Sequence, residues 1–139
     1  MAPDREHRSF RLERRLLERL QQQARESGES VTALAERYLD EGVRQEEHPL
    51  IAFRTGPMGR RAALAGTRLD VAQVIATVKT SGNSTEAAAE YLSIPEPWVR
   101  ACVRYYADFP EEIDRWLERL HATAEREEER WRREQAALA

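Results

Sequence analysis

Residues 8–13 read Arg8, Ser9, Phe10, Arg11, Leu12, Glu13. This strict alternation puts Phe10 and Leu12 on one face of an extended strand and Ser9, Arg11 and Glu13 on the other. The pattern that follows is helical to about residue 45, so no second strand lies nearby in sequence to pair with the first. A lone strand leaves a row of unpaired backbone donors and acceptors, costly when buried and adhesive when exposed. A second copy of the same strand is the simplest completion, so the chain is expected to fold as a homodimer.

The rest of the chain reads mostly as helix. Leu16, Leu17, Leu20 and Ala24 recur at helical spacing over 14–27, and Gly28 suits a left-handed C-terminal cap. Ser30 is placed to cap a second helix whose apolar face is Val31, Leu34, Ala35, Tyr38 and Leu39, with Gly42 marking its end. The charged residues 45–48 and Pro49 form a boundary, because proline disfavours helix in the residue before it. A hairpin is expected next, with strands at 50–54 and 61–65 around a Gly- and Pro-rich turn. Three helices then begin at Asp70, Ser84 and Glu96. Pro110 precedes a last helix over 111–138, whose first half carries an apolar stripe and whose second half is charged apart from Trp131. The expected domains are 8–45, 48–110 and 111–139.

The formal net charge of −3 argues against an obligate polyanion binder. The charge is segregated, however: residues 1–25 hold seven basic and four acidic side chains, so the strand sits in a locally basic segment. The single cysteine, Cys102, excludes an intrachain disulfide and suits a reducing compartment. There is no signal-like or membrane-spanning apolar run, so a cytoplasmic protein with no membrane partner is expected.

On the alternation at 8–13, the leucine face after it, and Gly28 and Ser30 leading into the second helix, residues 8–44 resemble the ribbon-helix-helix DNA-binding fold. The resemblance implies two intertwined chains whose strands form an intermolecular β-ribbon in the major groove. Carried over by position, Ser9, Arg11 and Glu13 would read base edges, with Arg8 beside them. Ser30 and Val31 would hold a phosphate at the helix N-terminus, and Phe10, Leu12, Leu16, Leu34 and Tyr38 would form the dimer core. The physics agrees, since a β-ribbon fits the major groove, arginine bonds guanine in bidentate fashion and helix N-termini attract phosphate. Glu13 is an acid on the reading face and needs a partner there, a cytosine amino group or Arg11.

Residues 84–103 have helix-turn-helix spacing and would present Arg100 and Arg104 as a second surface for DNA or a protein partner. The acidic, proline-bounded start of that second helix favours a structural or protein-binding role at least as much as DNA reading. Residues 48–114 resemble an antitoxin-associated domain, on Gly66, Thr67, Arg68, Leu69, Asp70 and Val71 together with the upstream run at 48–53 and Tyr105, Tyr106 and Ala107. That resemblance implies a PIN-type ribonuclease toxin as partner. Within the motif, Gly66 and Thr67 are expected to serve turn and cap, and Arg68 to make a buried ion pair.

In the last helix, Trp116, Leu120 and Trp131 are the residues that would dock on a toxin, although Trp116 and Leu120 also suit packing on their own domain. Enzymatic chemistry is not expected. His7, His48 and His121 are scattered without ligand spacing, so no metal site or other cofactor is anticipated. No phosphate-binding glycine loop or nucleophile motif is present either. The expected fold is thus mostly α: a ribbon-helix-helix, a small helix-turn-helix domain with a β-hairpin, and a long C-terminal helix. The expected function is that of an antitoxin that binds and represses its own operator DNA as a homodimer. A stand-alone regulator and an interaction dimer with no nucleic-acid role are the alternatives.

Overall fold

The computed structural model describes residues 3–139, and the chain divides into two compact units, Met1–Val43 and Arg44–Ala139. Among the described residues there are six helices and one two-stranded antiparallel sheet.

The first unit contains α1 (Arg14–Ser27) and most of α2 (Val31–Glu47). The chain leaves α1 through Gly28, whose φ of 72° is the left-handed conformation that glycine adopts without steric cost. The Ser30 hydroxyl then accepts from the Ala33 amide at 3.1 Å and starts α2. Gly42 does not end this helix, contrary to the sequence expectation. The helix runs on to Glu47 and stops where Pro49 restricts His48. The division between units therefore falls inside a continuous helix, not in a linker after it. Residues 8–13 form neither helix nor ladder in the single chain. Arg5 reaches Glu36 on α2 at 3.2 Å, tethering the segment before them. Met1 and Ala2 lie outside the described residues.

The second unit opens on the hairpin β1 (Ile51–Gly56) and β2 (Gly59–Leu64), paired from Ile51 with Leu64 to Gly56 with Gly59. Only Pro57 and Met58 lie between the strands, and Gly59 takes a φ of 118°. Alanine is a poor strand former, yet Ala62 and Ala63 are both buried here, and Ala62 joins the core that β2 shares with α3 (Val71–Thr80). Burial thus overrides propensity. The helices α4 (Thr85–Leu92), α5 (Glu96–Asp108) and the start of α6 (Pro110–Ala137) complete the unit around α3. Val71, Val74 and Ile75 of α3, Ala88 and Ala89 of α4, Val99, Cys102 and Tyr105 of α5 and Ile113 of α6 form one core. Apart from Tyr105, each lies at the helical spacing that the sequence pattern predicts.

The segment at 66–71 is a structural joint. Gly66 takes a φ of 75°. The Thr67 hydroxyl donates to the Leu64 carbonyl at 2.8 Å and accepts from the Leu69 amide at 3.0 Å. Arg54 of β1 donates to the carbonyls of Thr67 at 2.6 Å and Leu69 at 3.0 Å, closing the loop from the other side. Asp70 caps α3, and the Gln73 side chain reaches back to its amide at 2.8 Å. The expected ion pair of Arg68 is not made, because Arg68 is exposed. Arg61 binds Asp70 instead at 2.8 Å, with Arg54 at 3.7 Å, since both project from the hairpin toward the cap.

No helix among the described residues is long and apolar enough to cross a membrane.

Candidate interaction surfaces

The first unit buries very little by itself. Among its described apolar residues only Ala24 and Leu34 are fully enclosed. Phe10 is 68 % exposed, Leu12 and Leu16 47 %, Tyr38 44 % and Leu39 58 %. Phe10, Leu12, Leu16, Leu20, Ala35, Tyr38 and Leu39 line one open groove of about 680 Å³. The sequence-predicted dimer-core residues therefore gather on one face, with one difference: Leu34 is already covered within its own chain. A unit of this size needs more core than two side chains, and an exposed apolar patch of this kind marks an interaction site.

The predicted DNA-contacting residues lie in the same unit as this groove. Arg8, Ser9 and Arg11 are exposed and lie in the segment before α1. Glu13 is the residue that precedes α1, and its carbonyl accepts from the Leu17 amide at 3.0 Å. Its carboxylate thus stands at the positive end of the α1 dipole, which supplies part of the partner it needs. At the start of α2 the Ser30 hydroxyl serves the Ala33 amide, while the amides of Val31 and Thr32 have no acceptor within the helix.

The outer face of α5 is the second surface. Arg100 binds Glu96 at 2.8 Å, and Glu96 also accepts from the Thr85 hydroxyl at 2.8 Å. These bonds, the threonine's first and the arginine's after it, hold the Glu96 carboxyl below its usual range. Arg100 and Arg104 line a cavity of about 420 Å³ together with Glu47, His48, Leu50 and Pro97. An acidic residue therefore shares the surface on which the two arginines were expected to act.

A cluster missed by sequence reasoning joins the last turn of α2 to the α5–α6 corner. The Arg44 guanidinium lies 3.9 Å from the Phe109 ring centre and donates to the Tyr105 hydroxyl at 2.7 Å and to Glu112 at 2.8 Å. Burial alone would lower its pKa, but Glu112 and Tyr105 carry it above the ordinary value. Burial, with the Glu112 carboxylate, pushes the Tyr105 phenol up as well. His48 packs edge-on against Tyr105 and Phe109 and places Nε2 2.8 Å from the Asp108 carboxylate. The partners lie some sixty residues apart in sequence, so no local spacing could reveal them.

In α6, Trp116 and Leu117 pack against the core of the second unit. Of the two roles that the sequence leaves open for Trp116, packing on its own domain is the one seen, and Leu120 is half-buried. Trp131 is 59 % exposed in a stretch of the helix where every described residue is exposed. Cys102 is fully buried, and burial pushes its thiol up to about 12.

Comparison of the chain with family models, curated proteins and solved structures finds no match to any of them.

Proposed function

We propose that the chain is the antitoxin of a type II toxin–antitoxin pair. It acts as a homodimer that binds its own operator through residues 8–13 and a PIN-type ribonuclease toxin through its C-terminal half. The observation that carries the dimer is the uncovered groove of the first unit, which contains both the predicted strand's apolar face and the exposed faces of α1 and α2. A second copy is the occupant. It alone supplies an identical unpaired strand for residues 8–13 and an identical apolar face for the groove. Pairing would put Phe10 and Leu12 inside and leave Ser9 and Arg11 outside, next to Arg8, on a two-stranded surface of the width that the major groove admits.

The toxin half of the reading rests on the resemblance of residues 48–114 and on the exposed outer portion of α6 with Trp131. The deciding experiment has two parts. Fluorescence anisotropy with DNA from upstream of the chain's own gene should show sequence preference over scrambled DNA, with affinity falling steeply as salt rises. Co-expression with an adjoining PIN-domain reading frame should give a co-purifying complex. Operator binding without any such complex would leave a stand-alone regulator. Absence of sequence preference would leave an interaction dimer.

A further inference from the structure

We propose that Glu47, His48 and Asp108 form a binding site for a divalent first-row transition ion of the zinc class. Glu47 ends α2, His48 follows it, and Asp108 ends α5. One ligand atom from each lies within 4.8 Å of the other two. The imidazole Nε2 is 2.8 Å from Asp108 Oδ2, and the histidine side chain is only 3 % exposed while the aspartate is 53 % exposed. The ring is thus held rigidly between Tyr105 and Phe109, and its nitrogen is presented to two carboxylates at the surface.

A histidine–aspartate pair alone does not balance this cluster. Nε2 carries at most one hydrogen and satisfies one carboxylate. Glu47 makes no ion pair among the described residues, although it stands beside the same ring. Both acids also sit at helix C-termini, where the backbone dipole is already negative. The nearby cations are largely committed elsewhere. Arg44 is bound by Glu112, Arg100 by Glu96 and Arg115 by Glu111, leaving Arg104, one turn before Asp108 on α5, which lines the same cavity.

A divalent ion resolves the imbalance by taking the Nε2 lone pair and one oxygen from each carboxylate. Two ligands about 2.1 Å from a tetrahedral ion lie roughly 3.4 Å apart, so the His48–Asp108 contact opens slightly and the Glu47 carboxylate, within 4.8 Å, closes in. One nitrogen and two carboxylates suit zinc, manganese or iron(II) rather than a thiolate-seeking ion. The open side of the carboxylates leaves room for water as the remaining ligand. Bound there, the ion would staple the end of α2 to the end of α5.

The test uses the untagged, full-length chain after treatment with a chelator. Titration with Co²⁺ should give one ion per chain with visible d–d absorption, which Zn²⁺ displaces, and Zn²⁺ should raise the melting temperature. Glu47→Gln and Asp108→Asn, both at exposed positions, should each weaken binding by at least about tenfold, the scale on which even outer partners of a metal ligand act. His121→Ala, which removes the exposed histidine beside Glu125, should leave binding unchanged. No d–d absorption and no thermal shift in the unaltered chain would overturn the proposal. So would binding that survives both carboxylate substitutions. The readout involves neither DNA nor toxin and stands apart from the function proposed above.

Discussion

The Arg44 guanidinium donates to the Tyr105 hydroxyl at 2.7 Å, and that hydroxyl in turn donates to Glu112 at 2.6 Å. Tyr105 is fully buried, so its single oxygen links α2, α5 and α6 in the second unit. Tyr105→Phe keeps the packing and deletes that link. It should cost about 1–1.5 kcal/mol, the net worth of a buried hydrogen bond, because Arg44 still reaches Glu112 directly. Urea unfolding of the two proteins measures it. A neutral result would mean that the hydroxyl adds nothing to the Arg44–Glu112 pair.

Gly42 lies inside α2 with an ordinary φ, and a Cβ placed on it meets no atom within 4 Å. Nothing in the chain requires glycine there. Gly42→Ala should therefore stabilise the protein by roughly 0.5–1 kcal/mol through the entropy of the unfolded chain. A loss of stability, read by thermal unfolding, would reveal a neighbour at this position contributed by the second copy.

The two faces of residues 8–13 should separate two functions. Phe10 is 68 % exposed in the single chain, so Phe10→Ala destabilises only what covers it from outside. It should weaken the dimer by about 2–4 kcal/mol in sedimentation equilibrium. Arg11→Ala should leave the dimer intact and lower operator affinity by about 1–3 kcal/mol, the worth of a bidentate base contact. If Phe10→Ala leaves the oligomeric state untouched, the groove is covered by something other than this strand pairing.

The two tryptophans of α6 should respond oppositely. Trp116→Ala should cost about 2 kcal/mol of stability, less than a fully buried tryptophan loses, because Trp116 packs on the core from a half-buried position. Trp131→Ala should leave unfolding and operator binding unchanged and impair co-purification with the toxin. Equal effects of the two on stability would remove Trp131 as a docking residue.

Cys102 gives a pH-dependent prediction. Its thiol is raised from 9.0 to about 12 by burial, so between these values the unfolded chain releases a proton that the native chain keeps. Stability should be unaffected by this group below pH 9 and should fall as pH rises above it. Thiol reagents at pH 8 should label the native chain only as fast as it unfolds. Rapid labelling would show that α5 opens locally.

What the sequence made legible was local. The α1 C-terminus followed from Gly28, the α4 cap from Ser84, and the core positions of α3 to α5 from their 3.6-residue spacing. Gly42 was misread because a glycine at a helix end and one within a helix look alike until the capping conformation is known. The sequence suggests a buried ion pair for Arg68 without a partner, whereas the hairpin brings Arg61 and Arg54 to Asp70 through space. The gathering of Glu47, His48 and Asp108 was invisible for the same reason: it depends on where two helices end, which no periodicity encodes. The groove of the first unit was the opposite case, since its residues are neighbours along the segment 10–12 and two helix faces.

The outer half of α6 rests on no core of its own chain. Within it, ion pairs one turn apart join Glu128 to Arg132, Glu129 to Arg133 and Arg130 to Glu134. Each is worth only a few tenths of a kcal/mol, and together they favour the helix before anything touches it. A partner that grips Trp131 then meets a rod already wound and loses little entropy in ordering it. The same ion pairs tie this rod to ionic strength: salt that screens them would loosen the helix, and with it the grip of any partner on Trp131.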